Sequence, residues 1–404
     1  MADPVNMIAQ WLKAYLSGLG LASGWISVIM AALGVVVLAS AVLLVDIFLV
    51  WVERKVVARF QDRLGPNRLG PFGLFQPIAD VIKLLIKEDI TPQGADKFVY
   101  NLAPILALAT VIMLWAVIPI SATVAGSTIN VGALYIVAVG SIGTLGIIMA
   151  GWASNNKYAL LGAFRMVAQM ISYEVPMVIA ILIPVILAKS MSLTDIVESQ
   201  TIWYIVLAPI AAIVFLIGAQ AELGRAPFDL SEAESEIVAG FHIEYTGMKF
   251  GLFYAGELLH AMTFGGLFAT FFLGGWRGWG AETYPILGIG YFFIKAMFMY
   301  WVIMWIKYSF PRIRIDQMLN FCWKFLTPLI LTVLSITAIL DKLMVGVPYW
   351  IYVVVMLLAN LVVLYFAYQA VGRYARRERQ KVTDPEKIWE KYPFQSVEKT
   401  TQVS

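Results

Sequence analysis

Six ionisable side chains lie inside or at the edges of long apolar stretches of this sequence, where a charge is expensive: Asp46, Glu174, Glu222, Glu257, His260 and Lys295. At the centre of a membrane helix such a residue costs at least about 2.5–3.5 kcal/mol. Glu257 lies nine residues into its stretch, and the spacing i, i+3 places His260 on the same helix face. Residues of this kind mark proton or ion pathways.

Two interpretations of these residues remain open from the sequence. In the first, Glu174, Glu222 and Glu257 relay protons, because burial raises the pKa of a carboxylate while a nearby Arg or Lys lowers it. In the second, they form static buried polar pairs that only fix the packing of helices. A proton relay is the interpretation that gives these three glutamates a catalytic role.

The composition shows what must position these residues. Of the 404 residues, 60% are apolar and only 14% are charged, whereas soluble proteins average about 25% charged residues. A soluble enzyme, a disordered protein and a nucleic-acid-binding protein are therefore excluded. The single cysteine, Cys322, cannot hold an iron–sulfur cluster, which needs about four thiolates. We expect no redox centre, no metal and no covalently bound cofactor in this chain.

Stretches of about 20 mostly apolar residues predict membrane-spanning helices. Nine occur, at 25–52, 101–123, 131–152, 173–189, 202–222, 249–275, 285–307, 325–344 and 348–371. The third contains Gly140, Gly143 and Gly146, which predict close packing against another helix. The predicted fold is an all-α polytopic membrane protein with one transmembrane domain over 25–371.

The distribution of Lys and Arg predicts the orientation, because basic residues concentrate on the cytoplasmic side. Of the 29 basic residues, 24 fall on one face and four on the other. The prediction is an outer N-terminal segment (1–24), a charged cytoplasmic tail (372–404) and four inner loops, at 53–100, 153–172, 223–248 and 308–324. We find no internal repeat, which counts against a repeat-built transporter.

The first inner loop is rich in charge and then turns amphipathic. It opens with Glu53, Arg54, Arg59, Asp62 and Arg63, and Gly-Pro pairs follow. Residues 73–88 then carry apolar side chains, Phe75 among them, at helical spacing opposite a charged face. This pattern predicts an amphipathic helix at the membrane surface; a mere surface anchor with solvated charges is the alternative.

The third inner loop, 223–248, holds five acidic residues and one basic residue, Arg225. Its acids include Asp229, Glu232, Glu234 and Glu236. Lipid phosphates would favour basic residues at this face, so the loop is expected to face protein. We expect Arg225 and Asp229 to anchor it; a solvated connection is the alternative.

These segments together resemble the membrane component of respiratory complex I called NADH dehydrogenase subunit 1, which in bacteria is the H subunit. The resemblance is carried by Glu53–Glu88, Trp152–Pro176, Ala221–Glu257 and Tyr308–Asp316, and it spans about residues 25–344. The ninth span and the tail depart from the family pattern. Related anchors of hydrogenase-type and ferredoxin- or F420-linked complexes keep part of these motifs, and a stand-alone transporter is a further alternative.

The resemblance implies a subunit of a proton-pumping NADH:quinone oxidoreductase in the bacterial inner membrane. It implies that the chain forms much of the quinone chamber and begins the proton-coupling path through Glu174, Glu222 and Glu257. The residues implied for the chamber and its inner-loop supports are Glu53, Arg54, Arg59, Asp62, Arg63, Phe75, Arg225, Asp229, Glu232, Glu234 and Glu236. Quinone would be the substrate, FMN and iron–sulfur clusters would lie in partner subunits, and the partners would be peripheral-arm and small membrane-arm subunits.

Overall fold

The chain forms a bundle of α-helices in a computed structural model that describes residues 4–18, 22–230 and 238–383. No strand occurs within those ranges. The helices are α1 (Pro4–Gly18), α2 (Ser23–Phe60), α3 (Gln76–Ile86), α4 (Lys97–Trp115), α5 (Gly132–Ala153), α6 (Lys157–Ala188), α7 (Leu193–Ser199), α8 (Tyr204–Leu207), α9 (Pro209–Glu222), α10 (Gly247–Phe272), α11 (Pro285–Ser309), α12 (Ile315–Phe321), α13 (Thr327–Leu343) and α14 (Tyr349–Thr383). Short 3-10 turns occupy Pro71–Gly73 and Gly240–His242, and a π-helical turn joins α12 to α13.

Seven helical segments in the described ranges are long and apolar enough to cross a membrane: Ser23–Phe60, Lys97–Trp115, Gly132–Ala153, Lys157–Ala188, Pro285–Ser309, Ile315–Leu343 and Tyr349–Arg373. They confirm the all-α polytopic prediction. The predicted span 202–222 is broken instead into α8 and α9, because Pro209 has no N–H to continue the helix. The predicted span 249–275 corresponds to α10, which is long but carries Lys249, Glu257 and His260.

The fourth predicted span is wrong at its start. Helix α6 begins at Lys157 rather than at 173, so most of the predicted inner loop 153–172 is helical. The side chain of Asn156 accepts a hydrogen bond from the Tyr158 N–H at 2.9 Å and caps the helix. Pro176 and Pro184 lie inside α6 and do not end it, since neighbouring helices can satisfy the backbone groups that proline frees.

Helix α6 lies at the centre of the bundle, against α5, α9 and α13. Hydrogen bonds from buried side chains to backbone carbonyls tie the surrounding helices together. The Tyr173 hydroxyl donates to the Met318 carbonyl at 3.1 Å, and the Gln220 amide donates to the Ile303 carbonyl at 2.7 Å. Such bonds stabilise helix association where no hydrophobic force acts between helices.

The amphipathic prediction for 73–88 is confirmed by α3. Ile82, Leu85 and Ile86 point away from the protein and are exposed, while the helix packs on α2 and α10. A side chain at Gly251 of α10 would place its Cβ 2.9 Å from Leu84 Cδ1. Glycine at this position therefore lets α3 approach the bundle closely.

Helix α14 is joined to the bundle by polar contacts as well as apolar ones. The buried Asn360 side chain donates to the Leu207 carbonyl at 2.9 Å, at the break between α8 and α9. Nearer its start, the Tyr352 hydroxyl donates to Asp341 of α13, also at 2.9 Å. The helix continues to Thr383, beyond the end of its predicted span at 371.

Candidate functional site

A cavity of about 110 Å³ lies between α4, α5, α6 and α10, below the 3-10 turn Gly240–His242. Most of its wall is apolar, and its chemically active lining residues are Thr110, Glu222, His242, Tyr254, Glu257 and His260. The i, i+3 spacing on α10 brings Glu257 and His260 to this one cavity, as the sequence predicts. Pockets that are mostly apolar with a few convergent polar groups are typical of ligand sites.

Beside this cavity, Arg225 joins two of the predicted glutamates. Its side chain is 1% exposed, and its Nε donates to Glu257 Oε1 at 3.0 Å. A terminal guanidinium nitrogen lies 3.7 Å from Glu53 Oε2. Helix α2, helix α10 and the turn that follows α9 thus meet at one buried guanidinium. A buried charge is tolerated only when it is paired in this way.

Three further side chains from the C-terminal half of α11 complete this cluster. Glu53 accepts hydrogen bonds from Lys307 at 3.0 Å, from Tyr308 at 2.7 Å and from Tyr300 at 3.4 Å. Lys307 also lies 3.9 Å from Glu257. Sequence reasoning did not single out these three as site residues. The available signal was that Lys307 ends an apolar stretch next to the 308–316 motif.

The surroundings set the charge of the two titratable residues that lie outside the spans. Burial alone would lower the pKa of Arg225, but the carboxylates of Glu53 and Glu257 raise it above its ordinary value. Burial lowers the pKa of His242, although Glu257 opposes that shift. Arg225 is therefore a permanent cation, whereas His242 favours its neutral form.

A second cavity of about 20 Å³ holds the other predicted glutamates. Glu222 lines both cavities, and Glu174 lines the smaller one. The Ser141 hydroxyl donates to Glu174. Gln169 fixes the end of α9, because its amide donates to the carbonyls of Ala221 at 2.6 Å and Phe228 at 2.8 Å. The three predicted coupling glutamates thus border two adjoining cavities.

The predicted residues of the first inner loop lie outside both cavity linings. Arg54 pairs with Asp80 of α3, which also contacts Lys83 at 3.3 Å. Four others are exposed: Arg59, Asp62, Arg63 and Phe75. The structure therefore groups Glu53 with the cavity residues and leaves the rest of this set at the surface.

Arg225 and Asp229, the two residues expected to anchor the third inner loop, each pair with a residue of another segment rather than with each other. Asp229 contacts Arg312 at 3.2 Å, whereas Arg225 turns into the bundle towards Glu53 and Glu257. Two buried carboxylates attract a guanidinium more strongly than one half-exposed aspartate does. The predicted loop residues Glu232, Glu234 and Glu236 lie outside the described residues.

Comparison with known proteins decides the family. A sequence model of the NADH dehydrogenase family matches residues 33–338 of this chain. The chain belongs to the NADH dehydrogenase family. The matched residues of this family member include both cavities and the whole Arg225 cluster, whereas α14 lies beyond them.

Curated members of the NADH dehydrogenase family are similar over most of the chain. The H subunit of the NADH-quinone oxidoreductase of Dehalococcoides mccartyi is 50% identical over 304 residues, covering 75% of this chain and 84% of the relative. The second H subunit of Geobacter sulfurreducens is 48% identical, covering 73% and 92%. The H subunit of Geobacillus kaustophilus is 44% identical, covering 82% and 98%. These names favour the oxidoreductase over the hydrogenase-type anchor and the stand-alone transporter.

Proposed function

We propose that this chain is the membrane subunit of a proton-pumping NADH:quinone oxidoreductase that forms much of the quinone chamber and starts the proton-coupling path. The observation that carries the proposal is the 110 Å³ cavity, which Glu222 and Glu257 line inside the family-matched residues. The names of the relatives indicate the class of reaction. The cavity is a place where that reaction could be coupled to proton movement.

The charge cluster supports a coupling role for Glu257. Its carboxylate contacts Arg225 at 3.0 Å and lies 3.9 Å from Lys307, so two cations compensate its negative charge. Negative charge arriving in the cavity when quinone is reduced would compete for these cations and favour protonation of Glu257. Glu222 and Glu174 would then carry the change in protonation further into the bundle.

The first inner loop has a supporting role in this proposal. The exposed apolar face of α3, with Phe75 just before the helix, would border the quinone entrance from the lipid. Arg54 would hold α3 to α2 through Asp80, and Arg59, Asp62 and Arg63 would face partner subunits. Asp229, Glu232, Glu234 and Glu236 would support the inner end of the chamber.

The wider assembly follows from the same proposal. Peripheral-arm subunits would carry the FMN and the iron–sulfur clusters, and small membrane-arm subunits would continue the proton path. The complex would lie in the bacterial inner membrane with the long loops and the C-terminus of this chain in the cytoplasm. Quinone would be the substrate held by this chain.

Replacing Glu257 with Gln tests the proposal, because the change removes a titrating group with little change in volume. Quinone reduction and proton uptake in vesicles should both fall, since a tightly coupled pump cannot turn over with its relay blocked. Glu257→Asp keeps the carboxylate and should retain part of both activities. Rates are normalised to assembled complex.

The matched control is Glu198→Gln, which changes an exposed carboxylate of α7 in the same way and should leave both activities unchanged. Electron transfer from NADH to a soluble acceptor reports whether the complex is assembled. Full quinone turnover with full pumping in Glu257→Gln would reduce Glu257 to a structural acid and refute its coupling role.

A further inference from the structure

The two cavities share four lining residues, which we call the waist: Leu114, Gly140, Glu222 and His260. The waist separates the larger cavity, where Glu257 lies, from the smaller one, where Glu174 lies. Any proton that passes between these two carboxylates through the cavities must cross it. The two polar side chains of the waist are therefore the groups that decide whether it conducts.

Both polar side chains of the waist carry a buried atom that lacks a partner. Among the described residues, Glu222 Oε2 and His260 Nε2 are buried and make no hydrogen bond. An unpaired buried polar atom costs about 1–3 kcal/mol, so two of them at one constriction call for a shared ligand. Buried water is the usual ligand for such atoms.

The space and the geometry favour water at this position. A cavity holds a water molecule when a water-sized sphere can occupy about 10–15 Å³ of it. The smaller cavity offers about 20 Å³ for the centre of such a sphere alone. Gly140 leaves room beside Glu222, because an added Cβ would lie 3.7 Å from Glu222 Oε1. The His260 ring is held against Phe264, with ring centroids 4.6 Å apart.

We propose that the waist binds a water molecule between His260 Nε2 and Glu222 Oε2, which makes His260 a positioning residue for the proton relay. The water accepts a proton from the side of Glu257 and gives one of its own to Glu222, so one O–H bond forms for each that breaks. His260 acts by holding this water in line. The inference rests on the proposed function, because a relay matters only if protons move through the glutamates.

Two substitutions at His260 separate this role from packing. Gln carries a hydrogen-bonding group to about the position of Nε2, whereas Leu is apolar and would exclude the water molecule from the waist. His260→Leu should lower coupled quinone turnover and proton uptake about tenfold or more. His260→Gln should stay within about threefold of the unchanged chain, and the H2O/D2O rate ratio should change only in the Leu variant.

A third variant tests the space rather than the histidine. Gly140→Ala fits at ordinary contact distance from Glu222 but occupies room that the water needs, so turnover should fall with assembly intact. The matched control is Gly290→Ala on α11, where an added Cβ meets nothing within 4 Å. Electron transfer from NADH to a soluble acceptor monitors assembly in every variant.

The outcomes distinguish the two proposals. Full coupled turnover in both His260→Leu and Gly140→Ala, with Glu257→Gln inactive, would overturn the waist and leave the proposed function standing. Equal loss in His260→Gln and His260→Leu would overturn the water-holding role. Full coupled turnover in Glu257→Gln would refute the proposed coupling path itself.

Discussion

Replacing Arg225 with Met should destabilise the protein more than replacing Arg225 and Glu257 together. The four charges that meet at this point, on Glu53, Arg225, Glu257 and Lys307, sum to zero. Arg225→Met leaves one uncompensated carboxylate in a buried place. The double variant Arg225→Met with Glu257→Gln leaves Glu53 paired with Lys307 and restores the balance.

The contacts set the size of the effect. Removing one partner of a buried ion pair costs about 3–5 kcal/mol, and the 27% exposure of the Glu257 side chain favours the lower end. Glu257→Gln alone leaves an excess positive charge and should cost less, because Lys307 is itself 25% exposed. The two losses should therefore not add, and the coupling energy should be about 2 kcal/mol.

The assay is a double-mutant cycle on the unfolding free energy of the purified chain in bicelles, followed by Trp fluorescence during titration with SDS. The unchanged chain, both single variants and the double variant are compared under identical conditions. Losses that add to within about 0.5 kcal/mol would show that Arg225 and Glu257 are not energetically coupled, and would refute the charge-balance argument.

Two further predictions concern the cavity roof and the orientation. Gly162→Ala would place a Cβ 2.7 Å from Gly240 Cα, so the 3-10 turn that carries His242 must move. The change should lower the free energy of unfolding by about 1–3 kcal/mol and raise the KM for quinone in assembled complex. An unchanged KM would show that the turn does not shape the site. A membrane-impermeant thiol reagent added to intact cells should label Trp279→Cys, whose native side chain is 95% exposed. It should not label Leu64→Cys, whose native side chain is 74% exposed, and native Cys322 is buried and should not react. Labelling of Leu64→Cys from outside would reverse the proposed orientation.

The sequence predicts helices well where apolar runs are continuous, because length and hydropathy are local properties. It fails where proline has to be interpreted. All three prolines Pro176, Pro184 and Pro209 lie inside predicted spans, but only Pro209 coincides with a break in the structure, whereas Pro176 and Pro184 lie inside α6. The difference depends on whether neighbouring helices can satisfy the freed backbone groups, which no local pattern encodes.

The same contrast between local and long-range information applies to the candidate site. Glu257 and His260 share a cavity because helical spacing is encoded locally. The partnership of Glu53 with Lys307 joins residues 254 positions apart, and no periodicity could reveal it. Gly146 behaves as predicted, since an added Cβ would lie 3.3 Å from the Ala107 nitrogen on α4. No sequence pattern indicates that Gly140 lies beside Glu222 and lines both cavities.

The contact between Asn360 and the Leu207 carbonyl has a consequence for how the protein is made. The two residues are 153 positions apart, so the ribosome completes α8 and α9 long before it reaches the asparagine. Until then, this carbonyl at a helix break lacks one of its donors. The donor arrives on α14, which starts after residue 338, where the family match ends. Helix α14 is synthesised after the family-matched residues, and it completes the hydrogen bonding at a helix break within them.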